Sequence, residues 1–162
     1  LDFFKYAKLV NKFLKNKKTQ VIFEPGRCIV GNTSILISKI IYIKKNSNKK
    51  FVILDAGMND LMRPALYNAY HRIIPLKKSN KQIFGNVEFV GPVCESSDKF
   101  LIEKKFSKIS EGDFVAITDV GAYGMELASN YNSRPTVSEI LVNGSKYKII
   151  KKRQDLKSLI NN

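Results

Sequence analysis

The stretch QVIFEPGRCIVGNTSILISKIIYIKK (residues 20–45) carries a change of pattern that decides the fold. Its first part, QVIFEPGR, reads as a short buried strand ending in a Pro-Gly turn. The segment before it, LDFFKYAKLVNKFLKNKK, has Phe3, Tyr6, Val10, Phe13 and Leu14 at helical spacing, and Asp2 stands where a helix cap belongs. Helix followed by strand is one αβ step. After Gly31 the helical period disappears. TSILISKIIYIKKN and KFVILDAG are β-rich runs separated by NSNKK, a turn signal.

Outward from there, strands dominate. HRIIPLKK, NVEFVGPV, KFLIEKKF, DFVAITDVG and TVSEILVNGSKYKIIKK all read as strands, and SEGDF as a turn leading into one. Asn143-Gly144 is the strongest hairpin signal in the chain. One helical stretch interrupts the series. NDLMRPALYNAYH places Leu61, Ala65, Leu66 and Ala69 on one face and Arg63 and Tyr67 on another, with Asn59 or Asp60 as cap and Pro64 in the first turn. DLKSLINN reads as a short closing helix. The expected architecture is therefore the last helix–strand step of an α/β barrel (residues 1–33), followed by a mostly antiparallel β domain (residues 34–162). One αβ step cannot cover both faces of a parallel sheet, so residues 1–33 read as the end of something larger.

Composition narrows the function classes. The chain has 162 residues, is 44% hydrophobic, and carries a net charge of +14. No apolar run approaches a membrane span and no secretory signal opens the chain. The lysines fall in short scattered runs, several in turns, with no basic helix interleaved with aromatics. This speaks against nucleic-acid binding and for a Lys-, Ile- and Asn-rich coding bias. Cys28 and Cys94 have no metal-type spacing and are expected as free thiols in a reducing, cytoplasmic setting. His71 is the only histidine, so no metal site and no His-based triad is expected.

Four short motifs can carry chemistry. In EPGR (Glu24, Pro25, Gly26, Arg27), a Pro-Gly turn exposes backbone N–H groups and Gly26 permits close approach, which suits a phosphate. Taken alone, a plain surface turn explains it better. Arg63 offers a fork for a carboxylate, with the Tyr67 hydroxyl one turn away. In GPVCESSDKF, Cys94 and Glu95 lie between two turns. A thiol, with an ordinary pKa of about 8.5, is tunable towards proton donation near neutrality. In DVGAYGMELASNYNSRP, Gly121 and Gly124 bracket Tyr123 in a loop after a strand, where backbone passes close to a ligand.

In this order, EPGRCIVGNTSILISKIIYIKK, FVILDAGMNDLMRPALYNAYH, GPVCESSDKF and GAYGMELASNYNSRP closely resemble the diaminopimelate decarboxylases, pyridoxal 5'-phosphate enzymes of fold type III that complete lysine biosynthesis. The resemblance covers nearly the whole chain. It implies an α/β barrel followed by a C-terminal β domain, and decarboxylation of meso-2,6-diaminopimelate to L-lysine. Carried over position by position, it makes Glu24, Pro25, Gly26 and Arg27 the cofactor-phosphate segment, with Arg27 also reaching substrate. Arg63 and Tyr67 become substrate ligands, and Tyr123 a contact to cofactor and substrate. Cys94 becomes the acid that protonates the substrate carbon after carbon dioxide leaves, and Glu95 the ligand of the distal amino group. The resemblance also implies a homodimer in which Cys94 and Glu95 serve the partner's active site.

The substrate's chemistry agrees with this carry-over. Its distal end is a zwitterion, so it needs a cationic fork and a carboxylate. A decarboxylase of ornithine, arginine or carboxylated polyamines is the alternative within the fold, and a non-catalytic remnant the alternative outside it. Ser97 stands where the family pattern CESGD has glycine, and Met125 to Leu127 (MEL) is a local variant. These residues contain no candidate for the lysine that anchors the cofactor, nor the Gly-rich phosphate loop. Both lie earlier in the family's barrel, so the chain alone is expected to be inactive.

Overall fold

The computed structural model describes residues 2–46, 49–77 and 83–160. Helix α1 (Phe3–Leu14) opens the chain, and the Asp2 carboxylate caps it, accepting from the backbone N–H groups of Phe4 and Lys5, each at 3.1 Å. Its apolar face is only partly covered by the described residues: Val10 and Leu14 are half-buried, and α1 has no buried residue.

The strand expected at QVIFEPGR does not form. Residues 19–26 take no regular secondary structure and pair with no described strand, and Ile22 is 79% exposed. Local sequence makes a segment extended, but only lateral hydrogen bonding makes it a strand. No described strand lies beside this one. The edge-on packing of Tyr6 against Phe23, with ring centroids 5.8 Å apart, ties the segment to α1. The chain then turns at Gly26 into α2 (Arg27–Val30) and a 3-10 turn (Gly31–Thr33).

The β domain is a six-stranded mixed sheet. Its strands are β1 (Leu36–Lys45), β2 (Lys50–Leu54), β3 (Ile73–Pro75), β4 (Ile83–Val90), β5 (Lys99–Ser107) and β6 (Phe114–Ile117). The spatial order is β3-β6-β1-β2-β4-β5. All neighbours are antiparallel except β2 and β4, which run parallel. Alternation places Ile40, Val52, Leu54, Val87 and Phe89 on one buried face, joined by Val115 and Ile117. Phe89 meets Phe106 of β5 edge-on at 4.8 Å. Glu88, buried on the other side of β4, is held by Lys49 at 2.9 Å and Lys99 at 3.5 Å.

The hairpin β7 (Glu139–Asn143) and β8 (Lys146–Lys151) stands apart as a two-stranded sheet. Asn143 is the last paired residue, opposite Lys146, so Gly144 is the first residue of the two-residue turn, with φ +59°. The hairpin forms as its Asn-Gly signal indicates, with the turn one residue later. Helix α4 (Leu156–Ile160) follows.

Helix α3 (Arg63–Tyr67) has Met62 at its N-cap position and Pro64 in its first turn as expected. Neither Asn59 nor Asp60 caps it. Both are buried, and their side chains bond elsewhere. The expected apolar face is also only partly formed: Leu61 is buried ahead of the helix, whereas Leu66 is exposed. No described helix is long and apolar enough to cross a membrane.

Candidate active site

Two constellations hold the candidate residues. The first surrounds the start of α2. The Arg27 guanidinium lies 5.1 Å from the centre of the Tyr123 ring, a cation–π distance. A Cβ built on Gly26 would stand 3.3 Å from the Tyr123 hydroxyl, so the turn and the phenol are close neighbours. The loop carrying Tyr123 is bonded to the same segment: Val120 N–H donates to Ser34 O at 3.2 Å and Gly121 N–H to Gly31 O at 3.1 Å. Gly121 is obligatory, because a Cβ there would fall 2.0 Å from Val30 O. Tyr123 itself takes a left-handed conformation, φ +62°, the kind of strain that collects at ligand sites. Arg27, Cys28, Gly31, Asn32 and Asp119 line an open depression beside it. Glu24 and Pro25 are exposed on its approach.

The second constellation is built on the tight turn at residues 57–60. Loop 91–98, which carries Cys94 and Glu95, is fastened to this turn by Asp98. One carboxylate oxygen of Asp98 accepts from Met58 N–H and the other from Val93 N–H, both at 2.7 Å. Gly91 N–H closes the loop on Asp98 O at 3.0 Å. A side chain at Gly91 would collide with that carboxylate, at 2.2 Å. Burial pushes the Asp98 carboxyl above its ordinary range, and the two N–H donors oppose the shift. The outcome is a loop anchored through Asp98, with Cys94 and Glu95 both exposed.

From the opposite side, Arg134 donates through Nε to Asn59 Oδ1 at 2.9 Å and through Nη2 to the Asp55 carbonyl, and its Nη2 lies 3.7 Å from Asp60. Asp60 accepts from Gly57 N–H at 2.9 Å and from Asn59 Nδ2 at 3.0 Å. Burial raises its pKa as well, against the pull of Gly57 N–H and Arg134. Ser129 N–H donates to Asn59 O at 2.9 Å. The turn therefore holds three segments at once: loop 91–98, segment 129–134 and the start of α3.

On α3, the Arg63 guanidinium stacks 5.4 Å from the Tyr67 ring, as four-residue spacing requires. Arg63 Nε is buried and finds no acceptor among the described residues. His71 Nδ1 lies 2.9 Å from Thr118 O, and the ring is buried. Both cysteines are free and exposed.

The structure thus brings Gly26, Arg27 and Tyr123 together, pairs Arg63 with Tyr67, and carries Cys94 and Glu95 on one anchored loop. Residues 124–129 join the first constellation to the second. Sequence reasoning missed Asp98, Asn59 and Arg134. Asp98 stands inside a quoted motif, and a carboxylate in a Gly-Pro-bounded turn is a recognisable loop staple. Arg134 gives no local signal, because its partners lie far away in sequence.

The family description "Pyridoxal-dependent decarboxylase, C-terminal sheet domain" matches residues 8–121. The chain belongs to this decarboxylase family. It is 42% identical over 150 residues to the diaminopimelate decarboxylase of Aquifex aeolicus, covering 92% of this chain and 35% of that protein. With the enzyme of the same name from Zymomonas mobilis it shares 43% identity over 155 residues, 96% of this chain and 36% of that protein. The crystal structure of diaminopimelate decarboxylase from Helicobacter pylori, complexed with L-lysine, superposes with a TM-score of 0.90 at 43% identity. That match covers 99% of this chain and 39% of that one. The chain therefore spans a little over a third of the length of these decarboxylases. The resemblance read from its motifs is borne out.

The family's pyridoxal phosphate can be tested against the first constellation. A glycine beside a phenol, an adjacent guanidinium and a turn into a helix form a donor set for a phosphate. The residues present fit that end of the cofactor.

Proposed function

We propose that the chain supplies part of the active site of a diaminopimelate decarboxylase, which converts meso-2,6-diaminopimelate to L-lysine and carbon dioxide. In this reading, residues 1–33 are the end of an α/β barrel and residues 34–162 the C-terminal β domain of a cytoplasmic homodimer. Glu24, Pro25, Gly26, Arg27 and Tyr123 hold the cofactor's phosphate end. Bound pyridoxal phosphate supplies the electron sink for the bond pair released with carbon dioxide.

Cys94 Sγ–H delivers the proton that replaces the lost carboxylate and is left as a thiolate. Arg27 also reaches the substrate. Arg63, with the Tyr67 hydroxyl, grips the distal carboxylate, and Glu95 takes the distal ammonium. Cys94 and Glu95 serve the partner's site.

The observation that carries this reading is the pair Cys94–Glu95, exposed on a loop pinned by buried Asp98. An acid that must reach one face of a substrate carbon, and a carboxylate that must read a fixed distance away, need such an anchored mount. Two arginines, each against a tyrosine ring, supply cations for a substrate that carries two carboxylates.

The test is release of carbon dioxide from meso-diaminopimelate. The pyridoxal-phosphate-loaded enzyme containing this chain is expected to be active, and C94A to lower kcat by about a hundredfold or more. The isolated 162 residues are expected to release none. Activity of the isolated chain, or a preference for ornithine over diaminopimelate, would overturn the proposal.

A further inference from the structure

Glu95 is exposed, and a free glutamate side chain samples many rotamers. Ordering it on ligand binding costs side-chain freedom. Here it is already restrained. Its Oε1 lies 3.4 Å from the Ser97 N–H and its Oε2 lies 3.4 Å from the Tyr131 hydroxyl. Two long contacts, one on each oxygen, bias the plane of the carboxylate. A carboxylate offers about four acceptor positions, so two remain for a ligand.

Tyr131 is itself firmly placed. It opens a 3-10 turn (Tyr131–Ser133) in which Asn132 and Ser133 both take positive φ, +57° and +54°. Before it, Ser129 N–H is bonded to Asn59 O. Beyond it, Arg134 Nε is bonded to Asn59 Oδ1. The loop carrying Glu95 is fastened to Met58 through Asp98. Tyr131 and Glu95 thus approach each other from two segments anchored on neighbouring residues of one turn, so their separation is set by the fold.

From this geometry we infer that Tyr131 is a positioning residue that sets the specificity of the site: its hydroxyl holds the Glu95 carboxylate in the orientation that receives the ligand's distal ammonium. The inference rests on the reading of Glu95 given above. A ligand lacking that ammonium gains nothing from the arrangement, so Tyr131 contributes to selection through Glu95 alone.

The test compares Y131F, E95Q and the double variant in the pyridoxal-phosphate-loaded enzyme that contains this chain, with meso-diaminopimelate as the probe. Urea unfolding of each variant checks that the fold is kept. Y131F removes only the hydroxyl. It is expected to raise KM about three- to tenfold, the range for one ordinary hydrogen bond, with a smaller change in kcat. In the E95Q background the same substitution is expected to add nothing. If E95Q raises KM and Y131F does not, or if the Y131F effect persists undiminished in E95Q, Tyr131 does not act through Glu95 and the inference fails. If E95Q itself leaves KM unchanged, the reading of Glu95 fails and takes the inference with it.

Discussion

Gly121 shows how narrow the tolerance is at the first constellation. Its N–H bonds to Gly31 O, and a methyl group on its Cα would enter the Val30 carbonyl. Relief requires the backbone of α2 or of the Tyr123 loop to move. Overpacking of this kind typically costs about 1–3 kcal/mol. G121A is expected to lower stability by that amount, read from the shift of a urea midpoint, and to loosen the contact between Arg27 and Tyr123. Gly124 faces a similar limit, 2.5 Å from Val120 O. The sequence showed that these glycines bracket a tyrosine. It did not show that one of them is fixed by the carbonyl of Val30, because that contact spans the whole six-stranded sheet in sequence.

Among the elements, loop 91–98 is governed by one buried carboxylate, and this gives a pH signature. Burial raises the Asp98 pKa above its ordinary 3.8 in the folded state. In the window between 3.8 and that raised value, the folded state binds more protons than the unfolded state. The contribution of Asp98 to stability therefore falls as pH rises through the window, and it favours the folded state on the acid side. D98N lacks this titration. The stability of the wild type relative to D98N is expected to be greatest near pH 4 and to decrease towards neutrality, as measured by urea unfolding at successive pH values. A difference that grows with pH would contradict the assignment.

The elements also show what local sequence can and cannot settle. The periods of LISKIIYIKK and KFVIL gave strands, and the Asn-Gly signal gave the hairpin, because side-chain alternation and turn conformation are properties of a few neighbouring residues. VIFEP has the same β-rich composition and is no strand, because a strand also needs a neighbour. The Asn59 and Asp60 expectation failed for a related reason. A carboxylate and an amide before a helix suit a cap, but Arg134 and Gly57 claim them first. The pairs Arg63–Tyr67 and Cys94–Glu95 were legible because their members are close in sequence. The anchoring by Arg134 was not, nor was the bond from Met58 to Asp98, because these partners lie far apart in sequence.

For the whole molecule, the uncovered apolar surface is the dominant fact. Phe4, Leu9 and Phe13 of α1, Ile22 of segment 19–26, and Ile140, Val142, Tyr147 and Ile149 on one face of the hairpin are all exposed. Monomeric proteins rarely expose patches of this kind. The chain spans little more than a third of the relatives it matches, whose remaining length offers ample cover. The isolated 162 residues are expected to self-associate despite a net charge of +14, and light scattering at rising salt would show it. Screening removes the repulsion while leaving the apolar attraction, so particle size should grow with ionic strength.

Residues 124–129 connect two anchored points: Tyr123 behind Gly121, and Ser129 on Asn59. A short 3-10 turn (Met125–Leu127) takes up most of the path between them. The side chains of Met125, Glu126 and Leu127 can change without moving either end. Its length cannot. Inserting or deleting one residue would drag the Tyr123 loop off α2 or pull Ser129 and Tyr131 away from Glu95. The span acts as a ruler between the two halves of the site, and anyone grafting loops onto this scaffold would have to match residue count before composition.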